Sequence, residues 1–129
     1  MPEPFRVLVV DDDSGMRSLV ARVLERAGWL VVDAGDGAQA LEILERGKVD
    51  IDLVLTDVSM PMLDGLELGR RIAGMTPPRP VLYMSSELPD ALAPAGADRK
   101  VPAFLLKPFS METLVTAVVG LLAASAAAG

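Results

Sequence analysis

The 129 residues of the chain include no cysteine and no histidine. Without thiols it has no disulfide framework, no cysteine-ligated metal site and no thiol nucleophile. Without imidazole it has no histidine general base, no serine-histidine pair, no histidine metal ligand and no phosphohistidine of its own. Any phosphoryl group handled here must come from a donor outside the chain. Positive charge is also short: 12 lysines and arginines against 18 aspartates and glutamates leave a formal net charge of −6. That field repels polyanions, which argues against binding DNA or RNA through phosphate contacts and favours hard cations. Long apolar runs are missing too. The amino terminus passes from Met1-Pro-Glu-Pro4 through a short strand-like run into three aspartates, without the apolar core of a signal peptide. The uncharged stretch from Leu114 to Gly129 is short for a bilayer span and rich in alanine. These absences predict a cytoplasmic chain with no membrane association.

What the sequence does have is the material for one core. With 51% apolar residues the chain fits a single domain over 1–124, followed by an alanine-rich tail, 125–129, expected to fray. Arg6-Val-Leu-Val-Val10 is a compact β-branched run that stops at Asp11, as a strand buried on both faces should. Met16, Leu19, Val20, Val23, Leu24 and Ala27 then recur at helical spacing until Gly28. Trp29 to Ala34 reads as a second strand and Asp36-Gly37 as a turn. Ala40, Leu41 and Leu44 make the inner face of a second helix ending at Gly47. Ile51 to Thr56 reads as the third strand, with Leu66, Leu68, Ile72 and Ala73 on a third helix. Val81 to Met84 and Ala103 to Leu106 complete the strands. Ser110 opens a last helix, with Phe109 placed to staple onto Leu114. Between Ser86 and Pro102 the prolines leave room only for a short or irregular helix near Asp90 to Ala95. Five strands alternating with helices imply an α/β fold, a doubly wound parallel sheet covered on both faces in three layers.

In such a sheet ligands sit at the carboxyl ends of the strands. The polar residues collect there: Asp11-Asp12-Asp13, Asp57, Ser85-Ser86 and Lys107-Pro108 each follow or end a strand. Singly each has an ordinary explanation in turns, caps or solvation. Together they predict a shared site. Two carboxylates about 4 Å apart repel by roughly 4 kcal/mol at an effective dielectric of 20, so the cluster needs a cation. An all-oxygen donor set favours magnesium, with manganese as a substitute. A carboxylate beside that ion can attack phosphorus without a general base, and Asp57 is the nucleophile of choice. Lys107 and the Ser85 hydroxyl then contact the phosphoryl oxygens.

Val9-Val-Asp-Asp-Asp13 followed by Arg17, Asp36-Gly37 before Ala40-Leu41, Thr56-Asp-Val-Ser-Met-Pro61, Asp64-Gly65, Ser85 and Lys107-Pro-Phe109 fall in one order along nearly the whole chain. In these the sequence resembles the receiver domains of bacterial two-component response regulators. The resemblance implies a flavodoxin-like strand order 2-1-3-4-5 and Asp57 as phosphoacceptor. It also implies magnesium held by Asp11, Asp12, Asp57 and the Ser59 carbonyl, and a cis peptide before Pro108. By the same likeness Ser85 and Phe104 form the switch pair, while Ser59 and Glu87 tune hydrolysis of the acyl phosphate. The donor is a histidine kinase or histidine phosphotransfer protein, docking on the first helix through Met16, Leu19 and Val20. The downstream protein partner is unspecified, and a monomer or weak dimer is expected. Tyr83-Met-Ser-Ser-Glu87 and the proline-broken stretch after it are similar to receivers attached to hybrid histidine kinases.

Two other readings compete. Asp11-Asp-Asp13-Ser also fits the Asp-x-Asp start of haloacid dehalogenase-like phosphatases, in which case Asp11 is the nucleophile and Asp13 the acid/base of a small-molecule phosphatase. The third is a receiver-like interaction module that no longer needs phosphate.

Overall fold

The computed structural model describes residues 4–86 and 103–128. The elements run β1 (Arg6–Val10), α1 (Ser14–Arg26), β2 (Leu30–Ala34), α2 (Gly37–Arg46), β3 (Leu53–Asp57), α3 (Gly65–Ala73), β4 (Val81–Ser85), β5 (Ala103–Leu106) and α4 (Met111–Ala128). The expected helix near Asp90 to Ala95 and the expected tuning residue Glu87 lie outside the described residues.

All five strands are parallel, in the order β2-β1-β3-β4-β5. Their side chains divide by parity, because successive residues of a strand point to opposite faces. Val7, Val9, Leu53, Leu55, Leu82 and Met84 pack one way with Val20 and Leu24 of α1 and Leu114 and Val118 of α4. Leu8, Val10 and Val54 pack the other way with Ala40, Leu41 and Leu44 of α2 and Leu68 and Ile72 of α3. Two cores on one sheet give the three layers. The central strand β3 is buried along its whole length. Trimming Leu55 of β3 or Leu82 of the adjoining β4 to alanine removes packing worth about 2–5 kcal/mol.

Where the elements differ from the expectation, local hydrogen bonding decides. Asp36 and Gly37 do not form a free turn: the Asp36 carboxylate caps α2 by accepting from the Gln39 N–H, and Gly37 is the first helical residue. Gly47 ends α2 in the left-handed region at φ 64°. Val20, expected to help face a partner, is buried, so the surface of α1 is carried by exposed Leu19 and half-buried Met16. Strand β3 begins two residues later than expected and takes in Asp57, while β4 takes in Ser85. α4 continues through the expected boundary at residue 124, in keeping with the high helix propensity of alanine. Among the described residues, no helix is long and apolar enough to cross a membrane.

Candidate functional site

The sheet register brings four chain segments to one rim. Asp11 follows the last residue of β1, Asp57 closes β3, Ser85 closes β4 and Lys107 follows β5. Asp57 pairs in register with Met84, one residue before Ser85, and Ser85 pairs with Leu106, one residue before Lys107. The Lys107 N–H donates to the Ser85 carbonyl, which fixes that loop to β4. The peptide bond between Lys107 and Pro108 is cis.

Three carboxylates meet at this rim. One oxygen from each of Asp11, Asp12 and Asp57 lies within 4.8 Å of the other two. Asp11 and Asp57 are buried and Asp12 is exposed, so the cluster opens on its Asp12 side. Lys107 Nζ donates to Asp57 Oδ1 at 3.2 Å. It stands 4.0 Å from Asp11 Oδ2. Burial, with the neighbouring charges of Asp57 and Asp12, raises the Asp11 carboxyl above its ordinary range against the opposing pull of the Asp13 N–H and Lys107.

The donor set fits a hard cation. Asp11 Oδ1 accepts from the Asp13 N–H at 3.0 Å, whereas Asp11 Oδ2 is buried and accepts no hydrogen bond among the described residues. A buried carboxylate oxygen left without a donor is costly unless a positive charge reaches it. Oxygen-only ligands with one side open to water suit an ion that keeps part of its hydration shell.

The neighbouring backbone is held tightly. The Gly65 N–H donates to the Val58 carbonyl, and a Cβ at Gly65 would stand 2.2 Å from the Asp57 carbonyl oxygen. The Asp64 side chain caps α3 at the Glu67 N–H. Asp13 is occupied in the same way: its Oδ1 accepts from the N–H groups of Gly15 and Met16 at the start of α1. That capping role gives Asp13 an ordinary structural explanation, so the phosphatase reading draws no support from it.

Of the other expected site residues, Ser85 is buried, Ser59 is exposed in the loop after Asp57, and Phe104 is half-buried against Val58 and Tyr83. Residues whose part the sequence did not disclose are Arg17, which donates to the Asp11 carbonyl and to Asp33, and Gly65, whose missing side chain admits Asp57. A basic residue on the first turn of a helix that follows an acidic run was the available signal for Arg17.

The response regulator receiver domain model matches residues 7–119. The response regulator MprA of Mycobacterium sp. (strain KMS) is 36% identical over 119 residues, which is 92% of this chain and 51% of that protein. The chain thus spans about half the length of that relative. The response regulator receiver protein CpdR of Brucella abortus is 33% identical over 93% of this chain and 98% of its own length. Among solved structures, the receiver domain of the hybrid histidine kinase CckA superposes with a TM-score of 0.75 at 34% identity, covering 91% of this chain and 98% of that one.

Proposed function

Because the chain belongs to the response regulator receiver family, whose members are signalling regulators, we propose that Asp57 is its phosphoacceptor and that Asp11, Asp12, Asp57 and the Ser59 carbonyl hold magnesium. The observation that carries this reading is the convergence of three carboxylates within 4.8 Å, with Lys107 on Asp57. The donor is a phosphohistidine on a histidine kinase or phosphotransfer protein. As an Asp57 oxygen attacks phosphorus, the P–O bond forms and the P–N bond to the donor imidazole breaks. The bound ion supplies neutralisation of charge on the phosphoryl oxygens. Lys107 exchanges its contact with Asp57 for one with a phosphoryl oxygen, and the Ser85 hydroxyl takes another. No general base is needed, which suits a chain without histidine.

The output is a shift between two arrangements of the face that carries Ser85 and Phe104, populated differently with and without the phosphoryl group. Docking of the donor is supported by an apolar hollow of about 180 Å³ beside Lys107, lined by Met16, Leu19, Phe109, Met111 and Leu114. Exposed Leu19 and Met111 rim it. The domain works in the cytoplasm, as a monomer or weak dimer, on a downstream protein and without contacting nucleic acid or membrane.

The test is phosphotransfer from a panel of radiolabelled phosphohistidine donors with and without magnesium, followed by mapping of the label. The reading expects magnesium-dependent label on Asp57 and none on the Asp57→Asn chain. Label on Asp11, or transfer that survives the substitution, rejects it.

A further inference from the structure

Each polar atom of Asp11 but one is engaged. Its N–H donates to the Ala34 carbonyl on β2, and its Oδ1 accepts from the Asp13 N–H. Its carbonyl accepts from Arg17 Nη1. Only Oδ2 accepts no hydrogen bond among the described residues; it is buried, 4.0 Å from Lys107 Nζ, on a carboxylate that clusters with those of Asp12 and Asp57. The direction of Oδ2 is therefore set by how the backbone of residues 11–13 is held.

Arg17 ties the backbone of this turn to the neighbouring strand β2. Its backbone N–H bonds to the Asp13 carbonyl in the first turn of α1, so its place follows from the Asp13 cap. From there its guanidinium reaches two partners at once, the Asp11 carbonyl through Nη1 and Asp33 Oδ2 through Nε at 2.9 Å. The arginine side chain is only 20% exposed and lies along Gly35, where a Cβ would stand 3.6 Å from Nη1. A fork with donors in fixed relative positions makes these two contacts together, whereas a lysine ammonium is a single point charge on a flexible stem.

We infer that Arg17 is a positioning residue for the cation site: by fastening the Asp11 carbonyl to Asp33, it holds Asp11 Oδ2 and the following Asp12 in the arrangement that receives the metal. The inference rests on the magnesium reading above. The guanidinium bonds to the Asp11 carbonyl and to Asp33, and it acts on affinity through the geometry of Asp11. Asp33, although 58% exposed, is part of the same device.

A purely electrostatic role makes a different prediction. A positive charge near three carboxylates weakens cation binding, so its removal should tighten magnesium binding, and lysine should behave as arginine does. Positioning predicts that Arg17→Lys and Arg17→Ala both weaken binding by about tenfold or more, the scale for loss of an outer contact to a metal ligand. Asp33→Asn should weaken it to a lesser degree.

The experiment is calorimetric titration of the full chain and these three variants with magnesium chloride at two ionic strengths. Amide spectra of the metal-free proteins accompany it. A weakened Arg17→Lys protein whose Asp13 amide resonance has moved, with unchanged thermal stability, supports the inference. Should Arg17→Ala fail to fold, Arg17→Lys and Asp33→Asn carry the test. Arg17→Lys affinity equal to that of the unaltered chain overturns the inference alone. Failure of the unaltered chain to bind magnesium overturns it together with the magnesium reading.

Discussion

Lys107 Nζ lies 3.2 Å from Asp57 Oδ1 and 4.0 Å from Asp11 Oδ2, so one ammonium balances two buried carboxylates that come from separate strands. It stands where a divalent ion's charge would also be felt. Removing it exposes that competition. As a general scale, unit and double positive charges about 6 Å apart repel by roughly 1.4 kcal/mol in a water-like dielectric, a factor of about ten. Lys107→Ala should therefore bind magnesium up to about tenfold more tightly while losing response to phosphorylation, since the phosphoryl group has lost its cationic contact. Titration with magnesium, then with beryllofluoride as a phosphoryl mimic, measures both. Weaker magnesium binding by the variant contradicts the account of Lys107.

Asp11 makes the metal-free protein sensitive to pH in a direction that can be worked out. Its carboxyl is raised mainly by burial, so the folded chain holds that proton more tightly than the unfolded chain does. The stability this proton contributes is present below the ordinary carboxylate value of 3.8 and is lost as pH rises through the raised folded value. Asp11→Asn carries no charge to bury. It should melt at a higher temperature than the unaltered chain at pH 7 without metal, and the difference should shrink toward pH 4. Saturating magnesium reverses the ranking, because binding at a hundred times Kd adds about 2.7 kcal/mol to the unaltered chain only. Melting curves at the two pH values, with and without magnesium, check all three statements.

How much of this was legible in the sequence depends on the range of the interaction. The strands were readable because Val7 and Val9 go to one core and Leu8 and Val10 to the other, so both faces demand apolar residues and the strand reads as a continuous run. Asp57 and Lys107 were readable as a pair because parallel strands deliver their carboxyl ends to one rim. Contacts set by side-chain reach across elements were not. The Arg17 fork to Asp11 and Asp33 depends on the tilt of α1. The burial of Val20, which the family resemblance placed on a partner-facing surface, depends on where α4 lies against α1. At Asp36 the cap was hidden because aspartate-glycine serves a turn and a helix start equally well.

Met62 bears on stability without bearing on the site. It takes φ 68° with its side chain fully exposed, so it suffers the left-handed penalty and gains no packing in return. That penalty is roughly 1–2 kcal/mol for a residue with a Cβ, and glycine escapes it at some cost in unfolded-chain entropy. Met62→Gly should raise stability by about 1 kcal/mol and the melting temperature by about 4 °C. Magnesium affinity should not change. An unchanged or lower melting temperature would show that Met62 makes contacts offsetting its backbone conformation.

Gly65 and Gly69 sit one helical turn apart on α3, and the same substitution at each should have different consequences. At Gly65 the obstacle is backbone: a Cβ would lie 2.2 Å from the Asp57 carbonyl oxygen and 2.9 Å from Val58 Cα. Neither can move without shifting the end of β3, so Gly65→Ala should lose about 2–3 kcal/mol and also weaken magnesium binding by displacing Asp57. At Gly69 the obstacle is the tip of a side chain: a Cβ would lie 1.8 Å from the Tyr83 hydroxyl oxygen, with the ring carbon that bears it at 2.8 Å. Gly69→Ala should cost about 1–3 kcal/mol with magnesium affinity intact. Combining it with Tyr83→Phe deletes the closer atom, so the double variant should be more stable than the sum of the two single changes. Denaturant unfolding followed by Trp29 fluorescence gives the stabilities, and calorimetry gives the affinities. The contrast is the decisive result, because it separates a glycine that places the acceptor carboxylate from one that only makes room in the core; equal loss of magnesium binding at both positions would refute it.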